Sequence, residues 1–318
     1  MSRFLSLFKA AKTKRDSLLK NTNALRLVNG IADDFPGLTL DQFGSHYQLQ
    51  FFTAELLAHK EDLIRSIVEI WNPSYLVSKY RLDPDGKKLE TPLIVTEIGE
   101  SLSSATEVQE GKARFVVDLM DTINPGLFLD MRDIRIEIGS RSASKTLLNL
   151  FSYTCSFAVH ARLGGAMKVV NVDISSKILE KGRANYQLNG LTCLPGEFFK
   201  GSSFEYLVYA NKKGLRFDGI ILDPPSFARY KKEVFNVRDH LQECVSLGAK
   251  LLNPKGFFMV SSNYSGFTPE SVAEASLTTI QRKVGKARLV WAKSQGPDFP
   301  GHGSMKESCL SAALIERL

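Results

Sequence analysis

The sequence predicts an α/β protein built on a doubly wound parallel sheet, preceded by a small α+β domain. Two apolar runs of strand length support the sheet, because each ends in an acid, Asp173 and Asp223. Buried parallel strands are near-continuous apolar runs, and α/β proteins place reactive groups at the carboxyl ends of such strands. Short strand patterns around one helical pattern, within residues 21–110, predict the smaller domain.

Residues 1–20 are predicted to form an amphipathic helix with a basic face. Its cations are Arg3, Lys9, Lys12, Lys14, Arg15 and Lys20, and its apolar side is Phe4, Leu5, Leu7, Phe8, Leu18 and Leu19. Together with a net charge of +7, the basic face favours a polyanionic partner. Two interpretations stay open: the helix contacts that partner, or it packs on the protein with a solvated basic face.

The segment 21–110 is predicted to be the small α+β domain, with a role in substrate binding. Its strand patterns are Leu38–Leu40, Tyr47–Phe52, Tyr75–Tyr80 and Leu93–Glu97, and helical spacing covers Glu55–Trp71. A polar turn at residues 83–88 lies between the last two strands.

The main domain is predicted over residues 111–318, opening with a hairpin-like lead-in at Ala113–Leu119. A strand that begins at Lys145 runs into a turn of small residues, and a helix at Ala158–Leu163 follows. Such a turn at a helix N-terminus commonly cradles a nucleotide-like ligand. The next strand, Lys168–Asp173, ends about twenty residues after the turn in an acid that would accept hydrogen bonds from ribose hydroxyls.

A helix at Ser175–Leu188, with Asn189-Gly190 as its C-cap, leads on to a third apolar strand at Phe217–Leu222. That strand stops at the sequence Asp223-Pro224-Pro225-Ser226-Phe227. Two prolines fix the backbone and remove two N–H donors, so rigid acceptors beside an aromatic ring would suit a planar nitrogen base. The alternative for both strand-end acids is an N-cap of the next helix. Later strands are Phe257–Ser261, Ala287–Trp291 and Cys309–Ile315, the last two an antiparallel closing pair.

These motifs, in this order, resemble the class I S-adenosylmethionine (SAM)-dependent methyltransferases. The closer resemblance is to the bacterial large-subunit ribosomal RNA methyltransferases that modify cytosine C5 or guanine N7. It covers most of the chain and rests on Thr22–Gly30 with Phe35–Leu38, Gly126–Arg135, Asn149–Thr154, Asp173 and Leu222–Arg229. The resemblance implies a Rossmann-like sheet of seven mostly parallel strands, SAM as cofactor, S-adenosylhomocysteine as product, and ribosomal RNA or an assembly intermediate as partner. Members of the cytosine branch often carry an extra N-terminal RNA-binding domain, which this chain is expected to lack.

The resemblance also implies roles for individual residues. The predicted cofactor-binding residues are Asp130, Arg132, Asn149, Phe151, Tyr153, Thr154, Asp173, Ser202 and Asp223. The predicted catalytic set is Asp223, Pro224, Pro225 and Phe227, with the ring of Phe227 able to stack on the target base. Because SAM carries its methyl group on a sulfonium, the enzyme needs no metal and must mainly align a nucleophile with that methyl group.

Two departures from the family pattern concern the cofactor. Cys155 replaces a usual glycine, and a β-carbon there is expected to narrow the cofactor turn. Ser202 stands where an acid usually binds the adenine amine, so its hydroxyl would accept that bond without charge assistance. Both motivate an alternative function, an RNA-binding or ribosome-assembly protein that has lost efficient methyl transfer. A methyltransferase of small molecules or proteins is a third interpretation.

A further departure concerns the target atom. Methylation of cytosine C5 requires a cysteine that attacks C6, because a neutral ring carbon is a poor nucleophile. In the cytosine branch that cysteine lies in the segment that here spans residues 259–267, which contains none. The four cysteines, Cys155, Cys193, Cys244 and Cys309, fall elsewhere in the sequence. Residues 262–267 and 237–241 are more similar to the guanine-N7 branch, so a ring nitrogen is the preferred target and cytosine C5 the alternative.

Composition supplies the remaining expectations. A chain of 318 residues with 43% hydrophobic content can bury a full core. The cysteines lack metal-ligand spacing, and no run approaches eighteen apolar residues, which predicts a soluble cytoplasmic protein without a metal or a membrane partner. His160 is expected to pack within its helix, His240 to contact RNA phosphate and His302 to lie in a loop that covers the substrate, and none of them is expected to be catalytic. The oligomeric state stays open, a homodimer included.

Overall fold

The computed structural model describes residues 3–83, 86–100, 104–230, 233–301 and 309–318. The chain forms two compact units. The first comprises Met1–Arg132 with Gly296–Glu307, and the second comprises Asp133–Gln295 with Ser308–Leu318.

The first unit contains a five-stranded sheet whose strands follow one another in chain order. They are β1 (Ala24–Asn29), β2 (Leu38–Phe43), β3 (His46–Phe51), β4 (Tyr75–Leu82) and β5 (Lys88–Ile98). Only β3 and β4 pair in parallel, and α2 (Lys60–Trp71) lies between them in the chain, as a parallel connection requires. A hairpin of β6 (Ala105–Glu110) and β7 (Ala113–Asp118) follows. The four predicted strands overlap β2 to β5, whereas β1 was not predicted.

Helix α1 (Arg3–Arg15) packs its apolar side within the first unit. The Phe8 ring stacks on Phe35 at a centroid distance of 4.5 Å and meets Trp71 edge-on at 5.5 Å. Arg15 was predicted to belong to the solvated basic face, and this is wrong, because its guanidinium is buried in a salt bridge of 2.6 Å with Asp33. The apolar side of the helix is thus packed, while contact of its exposed lysines with a polyanion remains a prediction. The helix ends at residue 15 rather than 20.

The compact units differ from the predicted division after residues 20 and 110. The amide of Asn23 donates to the carbonyl of Gln109 at 3.2 Å, which attaches the β6–β7 hairpin to the first unit. The Asp298 carboxylate accepts bonds of 2.6 and 2.9 Å from Arg132 and one of 3.1 Å from the Arg26 amide. Ion pairs over such sequence separations leave no local pattern, and the domain limits themselves remain predictions.

The second unit contains the doubly wound sheet, in the order β10-β9-β8-β11-β14-β16-β15. Its strands are β8 (Thr146–Leu150), β9 (Lys168–Asp173), β10 (Phe198–Lys200), β11 (Phe217–Leu222), β14 (Leu252–Ser262), β15 (Ala287–Lys293) and β16 (Ser311–Arg317). The first five strands in this order are parallel, and β16 pairs antiparallel with both β14 and β15. The predicted fold class and the antiparallel closing pair are confirmed. The strand order reverses beside β8, which is where such sheets bind ligands.

Six helices accompany this sheet in the described residues. They are α3 (Arg132–Ser140), α4 (Ser156–Leu163), α5 (Ser176–Leu188), α6 (Ser203–Lys212), α7 (Val237–Ala249) and α8 (Pro269–Val284). The caps are encoded locally: the Ser175 hydroxyl accepts the Ile178 amide at 3.3 Å, and Thr268 caps α8 with Pro269 in its first turn. No helix in the described part of the chain is long and apolar enough to cross a membrane.

Candidate active site

The turn between β8 and α4 has a strained backbone. Phe151, Tyr153 and Cys155 have φ values of 54°, 47° and 61°. Non-glycine residues rarely adopt these values, which cost of order 1–3 kcal/mol each, so the surroundings must hold the turn. The Phe151 amide donates to the Ser203 hydroxyl at 2.9 Å, and the Tyr153 amide donates to the Asp173 carboxylate at 3.0 Å. These two bonds fix the turn to the start of α6 and the end of β9.

The carboxylate of Asp173 lies half-buried at the end of β9. One oxygen accepts the Tyr153 amide at 3.0 Å, and the other accepts the Ser175 amide at 2.9 Å. Desolvation raises the pKa of this carboxyl, and the backbone hydrogen bonds only partly oppose the rise. Within the described residues Asp173 makes no salt bridge, so acceptor capacity remains on both oxygens.

The side chain of Cys155 lies behind the turn. It is fully buried, and a β-carbon placed on Gly182 of α5 would come within 2.5 Å of its sulfur. The absence of a side chain at Gly182 therefore supplies the space for the Cys155 sulfur, and the narrowing of the cofactor turn remains a prediction. Burial also raises the pKa of the thiol far above its ordinary value.

Two predicted cofactor residues, Asn149 and Thr154, are buried supports of the site. The Asn149 amide donates to the Asn171 side chain at 2.9 Å and so joins β8 to β9. The Thr154 carbonyl accepts the Asn185 side-chain amide at 3.1 Å. Both are 1% exposed, which leaves little side-chain surface for a ligand, and their contact with a cofactor remains a prediction.

Ser202 is the N-cap of α6. Its hydroxyl accepts the Glu205 amide at 3.4 Å, so the oxygen predicted to meet an adenine amine already holds the helix start. The next residue, Ser203, was missed by the sequence analysis although it accepts the Phe151 amide. No local pattern distinguishes the two serines, because the role of Ser203 depends on a partner in a distant turn.

The Asp223 motif lies at the carboxyl end of β11, beside the end of β14. The Ser261 hydroxyl donates to an Asp223 carboxylate oxygen at 2.6 Å, because Leu222 and Val260 are register partners that align the two strand ends. Pro224 is buried, while Pro225 is exposed. Ser261 had been noted only as part of a segment without cysteine, so its contact with the acid was missed.

An unpredicted hairpin follows this motif, formed by β12 (Phe227–Tyr230) and β13 (Glu233–Asn236). The Phe227 ring is 53% exposed, and the Arg229 guanidinium lies 5.5 Å from its centroid. On β13, the Phe235 ring meets Phe151 of the strained turn at 5.1 Å. The hairpin thus connects the exposed aromatic ring to the turn after β8. His240 contacts the Asn236 carbonyl at 2.9 Å.

The cysteines divide by position in the second unit. Cys155 and Cys244 are buried, and burial raises the pKa of Cys244 to about 12. Cys309 is half-buried and lies two residues before Ser311, which pairs with Ser262 at the end of β14. The antiparallel return of β16 therefore brings Cys309 to the same sheet edge as Asp223, which its sequence position did not reveal.

Asp130 and Arg132 belong to the first unit. Arg132 is 3% exposed and its guanidinium is held by Asp298, so the side chain has a structural role, and its contact with a cofactor remains a prediction. Asp130 lies in the preceding single turn, Leu129–Met131. In the part of the chain that the structure describes, no cluster of His, Cys, Asp or Glu could hold a metal ion. His302 and part of the polar turn at residues 83–88 lie outside the described residues.

Comparisons with known proteins agree with this arrangement. A sequence profile described as S-adenosylmethionine-dependent methyltransferase matches residues 70–310. The chain belongs to this family. Ribosomal RNA large subunit methyltransferase I of Aeromonas hydrophila is 31% identical, over 99% of this chain and 80% of that protein. YwbD of Bacillus subtilis, provisionally named a ribosomal RNA large subunit methyltransferase, is 35% identical over 83% of this chain and 67% of that protein.

The crystal structure of SMU.776 complexed with SAH superposes with a TM-score of 0.86 at 27% identity, over 98% of this chain and 80% of that one. The protein is thus an enzyme that uses SAM as its methyl donor, as the sequence predicted. The residues at this sheet edge fit SAM. Asp173 can accept hydrogen bonds from hydroxyls, and the turn at residues 151–155 is held in an otherwise unfavourable conformation.

Proposed function

We propose that this enzyme transfers the methyl group of SAM to a base of large-subunit ribosomal RNA, and that the acceptor is a ring nitrogen. The substrate class is supported by the names of relatives that align with nearly the whole chain, such as the one from Aeromonas hydrophila. The exposed ring of Phe227, next to the Asp223 motif, offers a surface on which an extruded base can stack.

Different residues of the second unit would bind different parts of SAM. The Asp173 oxygens accept backbone N–H groups, and the ribose hydroxyls would donate to the remaining acceptor positions. The turn at residues 151–155 would face the methionine part, and Asp223 would accept hydrogen bonds from the amino group of SAM or from the base. SAM supplies an electrophilic methyl group, so the protein mainly orients the base and excludes water.

The observation that carries the nitrogen assignment is the contact of 2.6 Å between Ser261 and Asp223. At the place where a C5 enzyme would need a thiolate, the chain presents a hydroxyl bonded to a carboxylate. An aspartate carboxylate, with an ordinary pKa of about 3.9, is too weak a base to ionise that hydroxyl. A ring nitrogen already has its lone pair, so it needs no covalent activation.

Nucleoside mass spectrometry of ribosomal RNA from a deletion strain tests the substrate and the atom together. We expect loss of one base methylated on nitrogen, restored by the wild-type gene and not by the Asp223→Ala variant. Loss of 5-methylcytidine instead would contradict the nitrogen assignment, and unchanged RNA would contradict the substrate.

Cys309→Ala tests whether a cysteine acts as the nucleophile, because Cys309 lies at the same sheet edge as Asp223. We expect methyl transfer within about tenfold of wild type, less than about 1.4 kcal/mol in the barrier. Cys193→Ala, in the segment before β10, is the matched control. Strong loss with Cys309→Ala alone, together with a covalent adduct on RNA that carries 5-fluorocytosine, would establish the C5 mechanism.

A further inference from the structure

A groove of about 560 Å³ lies at the amino edge of the second unit's sheet. Its lining is Asn211, Gly214, Arg216, Lys250, Pro254, Lys283, Val284 and Arg317. Strands β11 and β14 begin at this edge, at Phe217 and Leu252, and the reversed strand β16 ends here. The groove is therefore at the opposite end of the parallel strands from Asp173 and Asp223.

The groove contains cations and no acid among its lining residues. Lys250 and Lys283 are exposed, and neither makes a salt bridge within the described residues. Arg216 donates to the carbonyl of its neighbour Leu215 at 2.9 Å, and Arg317 donates to the Leu252 carbonyl. Carbonyl contacts do not neutralise these charges, so four like charges face one concavity.

Helix dipoles offer a structural reason for cations here, because α6, α7 and α8 all end beside the groove. Each helix C-terminus is equivalent to about half a negative charge, or roughly 1.5 charges for three helices. Four cations exceed this amount, so a net positive field remains. A bound anion would remove the remaining repulsion.

We infer that this groove binds the phosphodiester backbone of RNA, away from the base that is methylated. Lysines act as point charges toward phosphate, while the forked guanidiniums of arginines can bond two phosphate oxygens. An open concavity lined by such residues fits a succession of phosphates and carries no information on base sequence. This inference rests on the proposed function, since it requires RNA as the substrate.

The test compares two variants of the full chain that lose the same charge. The groove variant carries Arg216→Gln, Lys250→Gln and Lys283→Gln, and keeps Arg317 because of its bond to the Leu252 carbonyl. The control variant carries Lys112→Gln, Lys145→Gln and Lys168→Gln, which are exposed or half-exposed, lie outside the predicted substrate-binding segment 21–110 and do not line the groove. RNA affinity is measured between low and moderate salt, with SAM affinity and thermal unfolding recorded for each protein.

Counterion release predicts that loss of three phosphate contacts flattens the slope of log affinity against log salt by about 2. We expect that change, with affinity at least about tenfold lower, in the groove variant and not in the control. If wild type and groove variant show equal slopes of log affinity against log salt while methyl transfer to RNA is intact, the groove does not bind RNA, and the proposed function still stands. Absence of RNA binding and methylation by the wild-type enzyme would overturn the proposed function and this inference with it. If inorganic phosphate stabilises the wild type but not the groove variant while RNA slopes are equal, a free anion is the ligand and the inference is wrong.

Discussion

The acids of the two units are held in different ways. In the first unit, Asp33 and Asp298 are fully covered and bonded to the guanidiniums of Arg15 and Arg132. In the second unit, Asp173 is half-buried and accepts only backbone amides in the described residues. A carboxylate bonded to a buried cation has its charge neutralised and serves stability. A carboxylate held by neutral donors keeps its charge for a ligand. We propose that Asp173 is the acid that meets a ligand, and the variants below compare it with the paired acids of the first unit.

The largest expected effect comes from breaking a structural pair. Arg15→Ala leaves the Asp33 carboxylate buried without its guanidinium, so we expect the free energy of unfolding to fall by about 3–5 kcal/mol. Lys14→Ala is the matched control, because Lys14 contacts the same carboxylate at 3.0 Å with a side chain that is 54% exposed. It should cost less than about 1 kcal/mol. Denaturant titrations measure both losses. Equal losses of unfolding free energy in the two variants would show that the exposure of the cation does not determine how much each salt bridge stabilises.

The next effect is on activity. Asp223→Ala should lower methyl transfer at least about 100-fold, about 2.7 kcal/mol in the barrier, because it removes the acceptor at the reacting end of β11. Ser261→Ala keeps the acid but loses the bond of 2.6 Å that orients it, so about a tenfold loss is expected. Steady-state kinetics with RNA, alongside thermal unfolding, make the comparison. Activity of Asp223→Ala within tenfold of wild type would remove Asp223 from the reaction.

Asp173→Ala tests whether this carboxylate binds SAM. We expect SAM affinity to fall by about 1.5–3 kcal/mol, the range for hydrogen bonds to a charged acceptor. Glu180→Ala, an exposed acid on the neighbouring α5, controls for the loss of one negative charge. Isothermal calorimetry measures both, and an unchanged affinity for Asp173→Ala would contradict the ribose assignment.

The smallest effect is a pH dependence of opposite sign at the two acids. The Arg15 and Asn29 hydrogen bonds outweigh burial and lower the pKa of Asp33, so its stabilisation is present above the unfolded pKa and is lost as pH falls through the lowered folded value. Burial raises the pKa of Asp173, so its ionisation costs stability above the folded value, and acid removes that cost. Asp173→Asn also replaces one accepting oxygen with a donor beside a backbone amide, so only the pH trend of each variant tests the distinction. In denaturant titrations, the stability that Asp33→Asn loses relative to wild type should shrink as pH falls, whereas the stability that Asp173→Asn loses should grow. The same direction of change for both variants would refute the distinction.

The strands of both units could be predicted from local patterns far better than the contacts between distant segments. Strands β9 and β11 begin and end where the apolar runs Lys168–Asp173 and Phe217–Leu222 predicted, since strands buried on both faces need continuous apolar sequence. The burial of Arg15, the contact between Ser261 and Asp223 and the position of Cys309 at the same sheet edge as Asp223 were not predicted. Each depends on two segments far apart in the chain that meet only when the sheets form. The strand ends of the candidate site were thus visible in sequence, but the groups that orient its acids were not.

The reversed strand β16 sets a length scale for the substrate. Its first residue, Ser311, lies at the edge that carries Asp223, and its last, Arg317, lines the basic groove. Seven residues of antiparallel strand extend about 20 Å at 3.4 Å per residue. Because RNA must follow the protein surface, a nucleic-acid strand that bridged both ends would need at least about six nucleotides at about 3.4 Å each. Fragments shorter than this can engage one end at a time, so the catalytic efficiency should rise stepwise with the length of a model RNA instead of gradually.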